Sequence, residues 1–417
     1  MSPKRSGNSF RGPHLIRHPT VKRWVEFACG ATIVVITVYC AYLGKLFSPH
    51  IDPNYFRDFG ILSALARYVF EHGHYQIGAY FYPPSNAVYI HLVTLLGEET
   101  AFRLHLITQS VALMIVLVAW LRIIRLHERA DPMRITLCAF LAALFYVGFE
   151  LRMHNINMLC LGLVSAALWL RRRTWFSGLL FAMAIALKPY GSILILPWMF
   201  WNHEVRWGVV TAIWCIILMA LMPIAWFGFE GTLRLYGEWL LSVRTTNHPD
   251  WILAHGFSLG RGIAELFDAD LFAPSVKWVT RSLQLVWIVM VGAFFAPTLF
   301  RRSLPCGPTM ASEVSVLLMA PLPLGGLQQI ARNVVILVPL LVLSGKTFDR
   351  ETPVFARTLF LLTLLLAAVL PRVVPVTNLQ CIVTLGLCCL ILLDLALAKR
   401  VDAVAVAVQQ RNVQAPT

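Results

Sequence analysis

The chain has 417 residues, of which 58% are hydrophobic and only 13% charged, and its formal net charge is +14. Soluble domains carry about 25% charged residues, so this chain lacks the charge to cover a wetted surface, and disorder, a coiled coil and a collagen-like fibre fall with that option. The apolar residues come in continuous runs and do not alternate, which argues against a membrane barrel and for an all-α polytopic membrane protein.

In chain order, residues 1–25 are polar and basic, with Lys4, Arg5, Arg11, Arg17, Lys22 and Arg23. They are expected to form a cytosolic N-terminus ahead of an uncleaved first helix at 26–47, since no small-residue cleavage pattern follows. Further apolar runs lie at 100–121, 134–151, 156–170, 175–187, 190–202, 207–228, 278–299, 311–323, 333–345, 355–371 and 376–397. A shorter run at 84–97 follows Pro83-Pro84 and reads as re-entrant or interfacial. Twelve spans with both termini inside place 22 of the 35 Lys and Arg residues in the cytosol, as the positive-inside rule asks. Residues 26–397 then form a single transmembrane domain, with outer loops at 48–99 and 229–277. Residues 398–417 are a polar cytosolic tail, expected to be disordered.

Several runs are too short to cross alone and must tilt, extend or lie beside a cavity. Within the spans, Asp394 is the main charged residue expected. Eight of the nine cysteines sit in apolar runs and read as small packing residues. The basic excess flanks the runs, so the expected partner is the lipid bilayer and not nucleic acid.

This threading gathers polar residues on one face. Asp52, Asp58, His72, His74 and Tyr75 follow the first span, then Tyr82, Ser85 and Asn86. Later turns add Arg152, His154, Asn155 and Asn157, then Lys188-Pro189-Tyr190, and finally Gln328, Gln329, Arg332 and Asn333. Each has a plainer role. Asp58 can cap an interfacial helix, Lys188 can snorkel, and Tyr82-Pro83-Pro84 can simply start a helix. His72 and His74 lack a nearby third ligand, so no metal is expected. Trp239, Tyr236, Trp251 and Phe257 suit helices in the headgroup layer.

In order, these residues resemble a GT-C type membrane glycosyltransferase, and more closely glycosyltransferase family 87. That family includes polyprenyl-phosphate mannosyltransferases and arabinofuranosyltransferases. The resemblance runs from about residue 52 to 345. It rests on Asp58-Phe59, Gly73-His74-Tyr75, Phe81-Tyr82-Pro83-Pro84, Asn155-Ile156-Asn157, the stretch from Arg171 through Lys188-Pro189 to Gly208, His255-Gly256-Phe257-Ser258-Leu259 and Pro321-Leu322-Pro323. This chain has Gln328-Gln329 where members often carry histidines, and His255-Gly256 where Asn-Gln is usual.

The resemblance implies a GT-C-like bundle of about 12 transmembrane helices with interfacial helices on its outer face. It also implies a polyprenyl-phosphate-linked sugar donor, a glycolipid or glycan acceptor, and transfer at the periplasmic or exterior face of the inner (plasma) membrane. No cofactor is expected, and the chain has no Gly-rich phosphate loop. Asp58 is the candidate general base, acting on the acceptor hydroxyl with inversion. Lys188 is the candidate cation for the leaving phosphate, with Arg332 and Arg152 behind it. Tyr82, His154, Asn155, Asn157, His255, Gln328, Gln329 and Arg332 are the other candidate substrate contacts. The rival reading is a transporter or flippase of a lipid-linked or anionic solute, which would usually show paired mid-membrane charges and repeat symmetry. A catalytically inactive accessory subunit is a third.

Overall fold

The computed structural model describes residues 30–31, 33, 57–76, 82–124, 131–153, 155–202, 204–246, 259–298, 307–324, 334–374 and 379–414. Among them every regular element is helical. The helices are α1 (Arg57–His72), α2 (Pro84–Thr94), α3 (Glu98–Ile124), α4 (Pro132–Met153), α5 (Asn157–Trp169), α6 (Thr174–Leu187), α7 (Tyr190–Ile193) and α8 (Ile195–Trp201). They continue with α9 (Val205–Ile216), α10 (Met222–Thr246), α11 (Leu259–Leu266), α12 (Pro274–Phe295), α13 (Gly307–Met319), α14 (Leu337–Phe348), α15 (Val354–Val373) and α16 (Leu379–Gln414). Helices are the natural outcome of long apolar runs, because lipid offers no partner to a backbone N–H or C=O left outside a helix.

Six stretches are long and apolar enough to cross a membrane: Thr100–Ile124, Pro132–Leu151, Val205–Arg244, Pro274–Thr298, Val354–Val373 and Leu379–Val401. Four shorter apolar helices match expected spans: Asn157–Trp169, Thr174–Leu187, Thr309–Met319 and Val334–Phe348. The run 190–202 is not one helix. It breaks into α7 and α8, and seven residues of α8 rise only about 10 Å. The first expected span, 26–47, falls outside the described residues apart from positions 30, 31 and 33. The structure therefore shows a multi-pass helical protein without fixing the expected count of twelve.

Within 229–277, where helices in the headgroup layer are expected, helix continues past residue 228, as α9 runs through a π-helical stretch, Ile217–Leu221, into α10. Gly228 bends α10 with φ 71° and ψ 173°, a combination open almost only to glycine. Two further expectations change. The tail expected to be disordered continues α16 to Gln414; residues 401–414 are rich in Ala and Val and contain no Gly or Pro to stop a helix. Finally, Asp394 is not the main charge within the bundle. Glu150 and Glu313 are fully buried, and Glu313 pairs with Lys399 at 3.0 Å while accepting from Trp198 Nε1 at 3.1 Å. Buried carboxylates in apolar surroundings need such partners.

The main core unites α3–α6 with α11–α16 around the fully buried Trp120, Tyr146, Phe181, Trp287 and Phe360. Close packing depends on small residues. A Cβ on Gly162 of α5 would lie 2.6 Å from the Cβ of Ala112 on α3, so only glycine lets these helices approach so closely. A second, smaller cluster lies apart from this core: Phe59, Leu62, Ala66 and Val69 of α1 meet Tyr75, Tyr82, Ile90, Ile156, Leu187 and Leu235. It joins α1 and α2 to one end of the bundle.

Candidate functional site

Short connections reverse the chain between α3, α4, α5 and α6, which brings the start of α3, the end of α4, the start of α5 and the end of α6 together. Lys188 sits where α6 stops. Its backbone turns extended (φ −159°, ψ 98°), as the following Pro189 requires. The side chain is only 4% exposed, so it does not snorkel. Its Nζ donates to Asn155 Oδ1 at 3.1 Å and to Tyr82 Oη at 3.3 Å, and it lies 5.0 Å from the Tyr82 ring centroid.

The start of α2 closes the end of α6. Pro84 opens α2, where its missing N–H costs nothing. Ser85 Oγ then donates to Ala186 O at 2.6 Å and Asn86 Nδ2 to Leu187 O at 3.0 Å. The last carbonyls of a helix need partners from outside it, and these two side chains supply them. Thus Tyr82-Pro83-Pro84 does start a helix, and it also delivers the Tyr82 hydroxyl to Lys188. Burial, with a smaller contribution from the neighbouring Cys160, pushes the Tyr89 phenol on α2 up to about 12. Burial also lowers the His91 imidazole below its ordinary value, where it stacks on Phe70 at 3.7 Å.

Tyr82 is held from behind. Its carbonyl accepts from Tyr75 Oη at 3.0 Å. The Gly73-His74-Tyr75 turn is gripped by α10, with Tyr75 N donating to Glu238 Oε2 at 2.6 Å and Arg234 Nη2 donating to Gly73 O at 2.8 Å. Gly73 has φ 69°, the left-handed region that favours glycine.

The Asn155-Ile156-Asn157 turn is ordered by a residue that the sequence reading did not single out. Glu150 Oε2 accepts from Asn157 Nδ2 at 2.9 Å, and its Oε1 accepts from Met158 N at 3.0 Å. It thereby caps the first turn of α5. Asn155 Oδ1 also accepts from Ile156 N at 2.8 Å, which fixes the oxygen that faces Lys188. Asn157 is turned toward Glu150, while Asn155 belongs to the lysine cradle. A carboxylate inside an apolar run is the signal that could have found Glu150. Nothing local marked Arg234 or Glu238.

Asp58 lies in the first turn of α1, directly before the buried Phe59; nothing further is described of its side chain, nor of that of Arg152. His154, His255, Gln328, Gln329 and Arg332 lie outside the described residues. His72 and His74 stack on Tyr68 at 4.2 and 5.2 Å, and their own rings lie 5.9 Å apart. Among the described residues no three His, Cys, Asp or Glu side chains gather as a metal site would require.

The cradle is a buried ammonium ringed by a phenol and an amide oxygen. It can meet an anionic group with a charge-assisted hydrogen bond. Compared with known proteins, the sequence model of glycosyltransferase family 87 matches residues 80–324, more than half of the chain. The matched stretch contains Tyr82, Asn155, Asn157, Lys188 and His255, begins after Asp58 and ends before Gln328. No curated protein and no solved structure matches the chain.

Proposed function

The chain belongs to glycosyltransferase family 87, and from that premise we propose that it transfers a sugar from a polyprenyl-phosphate donor to a glycolipid or glycan acceptor. The sugar is mannose or an arabinofuranose-like pentose, and the reaction takes place at the end of the bundle that holds Lys188. The observation that carries this reading is the buried Lys188 ammonium, positioned by Tyr82 and Asn155. A sugar leaving a lipid phosphate builds negative charge on the phosphate oxygens, and a pre-placed cation stabilises that charge more than it stabilises the ground state.

In the proposed reaction the acceptor hydroxyl attacks the anomeric carbon opposite the phosphate. The new C–O bond forms as the bond to phosphate oxygen breaks, inverting the centre. Asp58 takes the hydroxyl proton and the polyprenyl phosphate departs toward Lys188. His154, His255, Gln328, Gln329 and Arg332 remain proposed contacts to the sugar or phosphate, and Asn157 is reassigned to shaping the turn. The site faces the periplasm or exterior of the plasma membrane, with the basic short loops in the cytosol. Transport is the weaker reading. Among the described residues the paired Glu313 and Lys399 favour it, but Glu313 is already engaged by Trp198.

The test is transfer by detergent-purified protein from polyprenyl-phosphate mannose or polyprenyl-phosphate arabinofuranose to a membrane lipid extract, read by mass spectrometry. Asp58→Asn should fold normally, because the amide keeps the size of the side chain and the loss of a first-turn negative charge costs only about 0.3–1 kcal/mol. It should lose about 10²–10⁴-fold in turnover, whereas Asp52→Asn should cost little. If Asp58→Asn keeps more than about a tenth of normal turnover, the base lies elsewhere.

A further inference from the structure

Two buried polar residues in the first half of α3 have no role in the mechanism above. His105 is 1% exposed and Gln109 0%. They are four positions apart and so share one helix face. Buried as they are, each must find partners within the protein, and the partners they find are informative. The His105 ring stacks on Phe59, with centroids 4.5 Å apart and planes 22° from parallel. Phe59 immediately follows Asp58. Gln109 Nε2 lies 2.8 Å from His105 Nε2 and also donates to the backbone carbonyl of Asn155, whose side chain holds Lys188.

The contact with a carbonyl oxygen fixes the amide orientation, since Gln109 must present its NH₂ there. The second amide hydrogen then points at His105 Nε2, so that nitrogen accepts and the ring proton sits on Nδ1. The result is an unbroken path from Phe59 through His105, Gln109 and Asn155 to Lys188. Phe59 and Lys188 lie far apart in sequence, on α1 and at the end of α6.

We infer that His105 and Gln109 are a positioning pair that holds the Asp58-bearing end of α1 in register with the Lys188 cradle. The role rests on the reading of Asp58 and Lys188 given under Proposed function. If Asp58 takes the proton while Lys188 receives the phosphate, the distance between α1 and the end of α6 sets the geometry of attack. A displacement of about 1 Å at such a site can cost on the order of 10²-fold in rate. A pair serving only as packing between helices would affect stability and leave that geometry intact.

Two variants separate these roles. His105→Phe keeps an aromatic ring to stack on Phe59 and removes the acceptor. Gln109→Met keeps the length and removes the amide. The first readout needs no substrate: nitroxide amino acids at the exposed positions 61 on α1 and 193 on α7 report the distance between the two sides by pulsed electron resonance. The full-length protein should give one narrow distance, and both variants should broaden or shift it. The second readout is turnover in the transfer assay. Each variant should lower kcat by ~10- to 100-fold, with the donor KM changed less than the kcat. The double variant should be about as slow as either single one, because both break the same path.

An unchanged, narrow distance in folded variants overturns the pair's role whatever the activity. A broadened distance with normal kcat, alongside inactive Asp58→Asn, also overturns it, because register would then not govern the chemistry. A broadened distance with active Asp58→Asn instead removes the mechanism on which the role rests. Failure of both variants to fold would assign the pair to stability alone and overturn the proposal too.

Discussion

A buried ammonium is among the more expensive groups a protein can hold, since desolvation of an unpaired charge costs far more than a neutral hydrogen bond returns. Lys188 is kept in place by oxygens that are themselves fixed: Asn155 Oδ1 by the N–H of Ile156, and the Tyr82 backbone by Tyr75. Such an arrangement holds a cation where an anion is to arrive, with little reorganisation at that moment. Lys188→Met retains the apolar stem and removes the charge. It should leave the thermal midpoint close to that of the parent protein and lower kcat/KM for the donor by about 10- to 100-fold, the worth of one charge-assisted hydrogen bond, with kcat falling as well as donor affinity. Donor titration and turnover of the folded variant check this, and unchanged affinity together with unchanged turnover would reduce Lys188 to a structural residue.

Among the elements, α10 takes its shape from a single residue, Gly228. Its first turns continue the apolar helix from α9, and its second half carries Glu230, Arg234, Glu238 and Arg244. Gly228 separates the two halves, and its dihedrals direct Arg234 and Glu238 onto the Gly73–Tyr75 turn. Space is not the constraint at Gly228, since an added Cβ would meet nothing within 4 Å. The constraint is the backbone. Gly228→Ala should therefore lower stability by about 1–3 kcal/mol through strain. Gly237→Ala, in the same helix and equally open, should be neutral or stabilising by about 0.5–1 kcal/mol. Thermal melts of the two variants should fall on opposite sides of the parent, and matching midpoints would mean that the bend carries no strain penalty.

For the whole molecule, the two ends of the bundle differ in chemistry. At one end lie the lysine cradle, the α2 start and the α10 clamp. At the other, Arg122 lies over Trp169 at 5.3 Å and Arg171 donates to Met310 Sδ at 3.0 Å. Basic residues mark the cytosolic side of polytopic proteins, so the cradle is expected outside. In a background freed of reactive native cysteines, single cysteines at positions 58 and 251 should react with an impermeant thiol reagent on intact cells. Those at 172 and 301 should react only after permeabilisation. Labelling of position 172 in intact cells would invert the topology and move the proposed donor to the cytosolic leaflet.

The sequence by itself determined the class of the molecule, because a bilayer admits only backbones that satisfy their own hydrogen bonds, and runs such as 100–121 and 355–371 leave little but helix. It also marked Tyr82, Asn155 and Lys188, since polar groups at the ends of apolar runs are visible one residue at a time. Tertiary structure alone decided which of them meet. Asn155 and Asn157 are equivalent in sequence, yet one faces Lys188 and the other faces Glu150, because the turn between α4 and α5 points them apart. The break of 190–202 into α7 and α8 has a local cause, because Pro197 cannot bond back to Ile193, where α7 ends, and the bend at Gly228 uses a backbone region open almost only to glycine. The path from Phe59 to Lys188 through His105 and Gln109 was hidden, because it depends on contacts between segments distant in the chain, and local propensity and hydrophobic period carry no information about those.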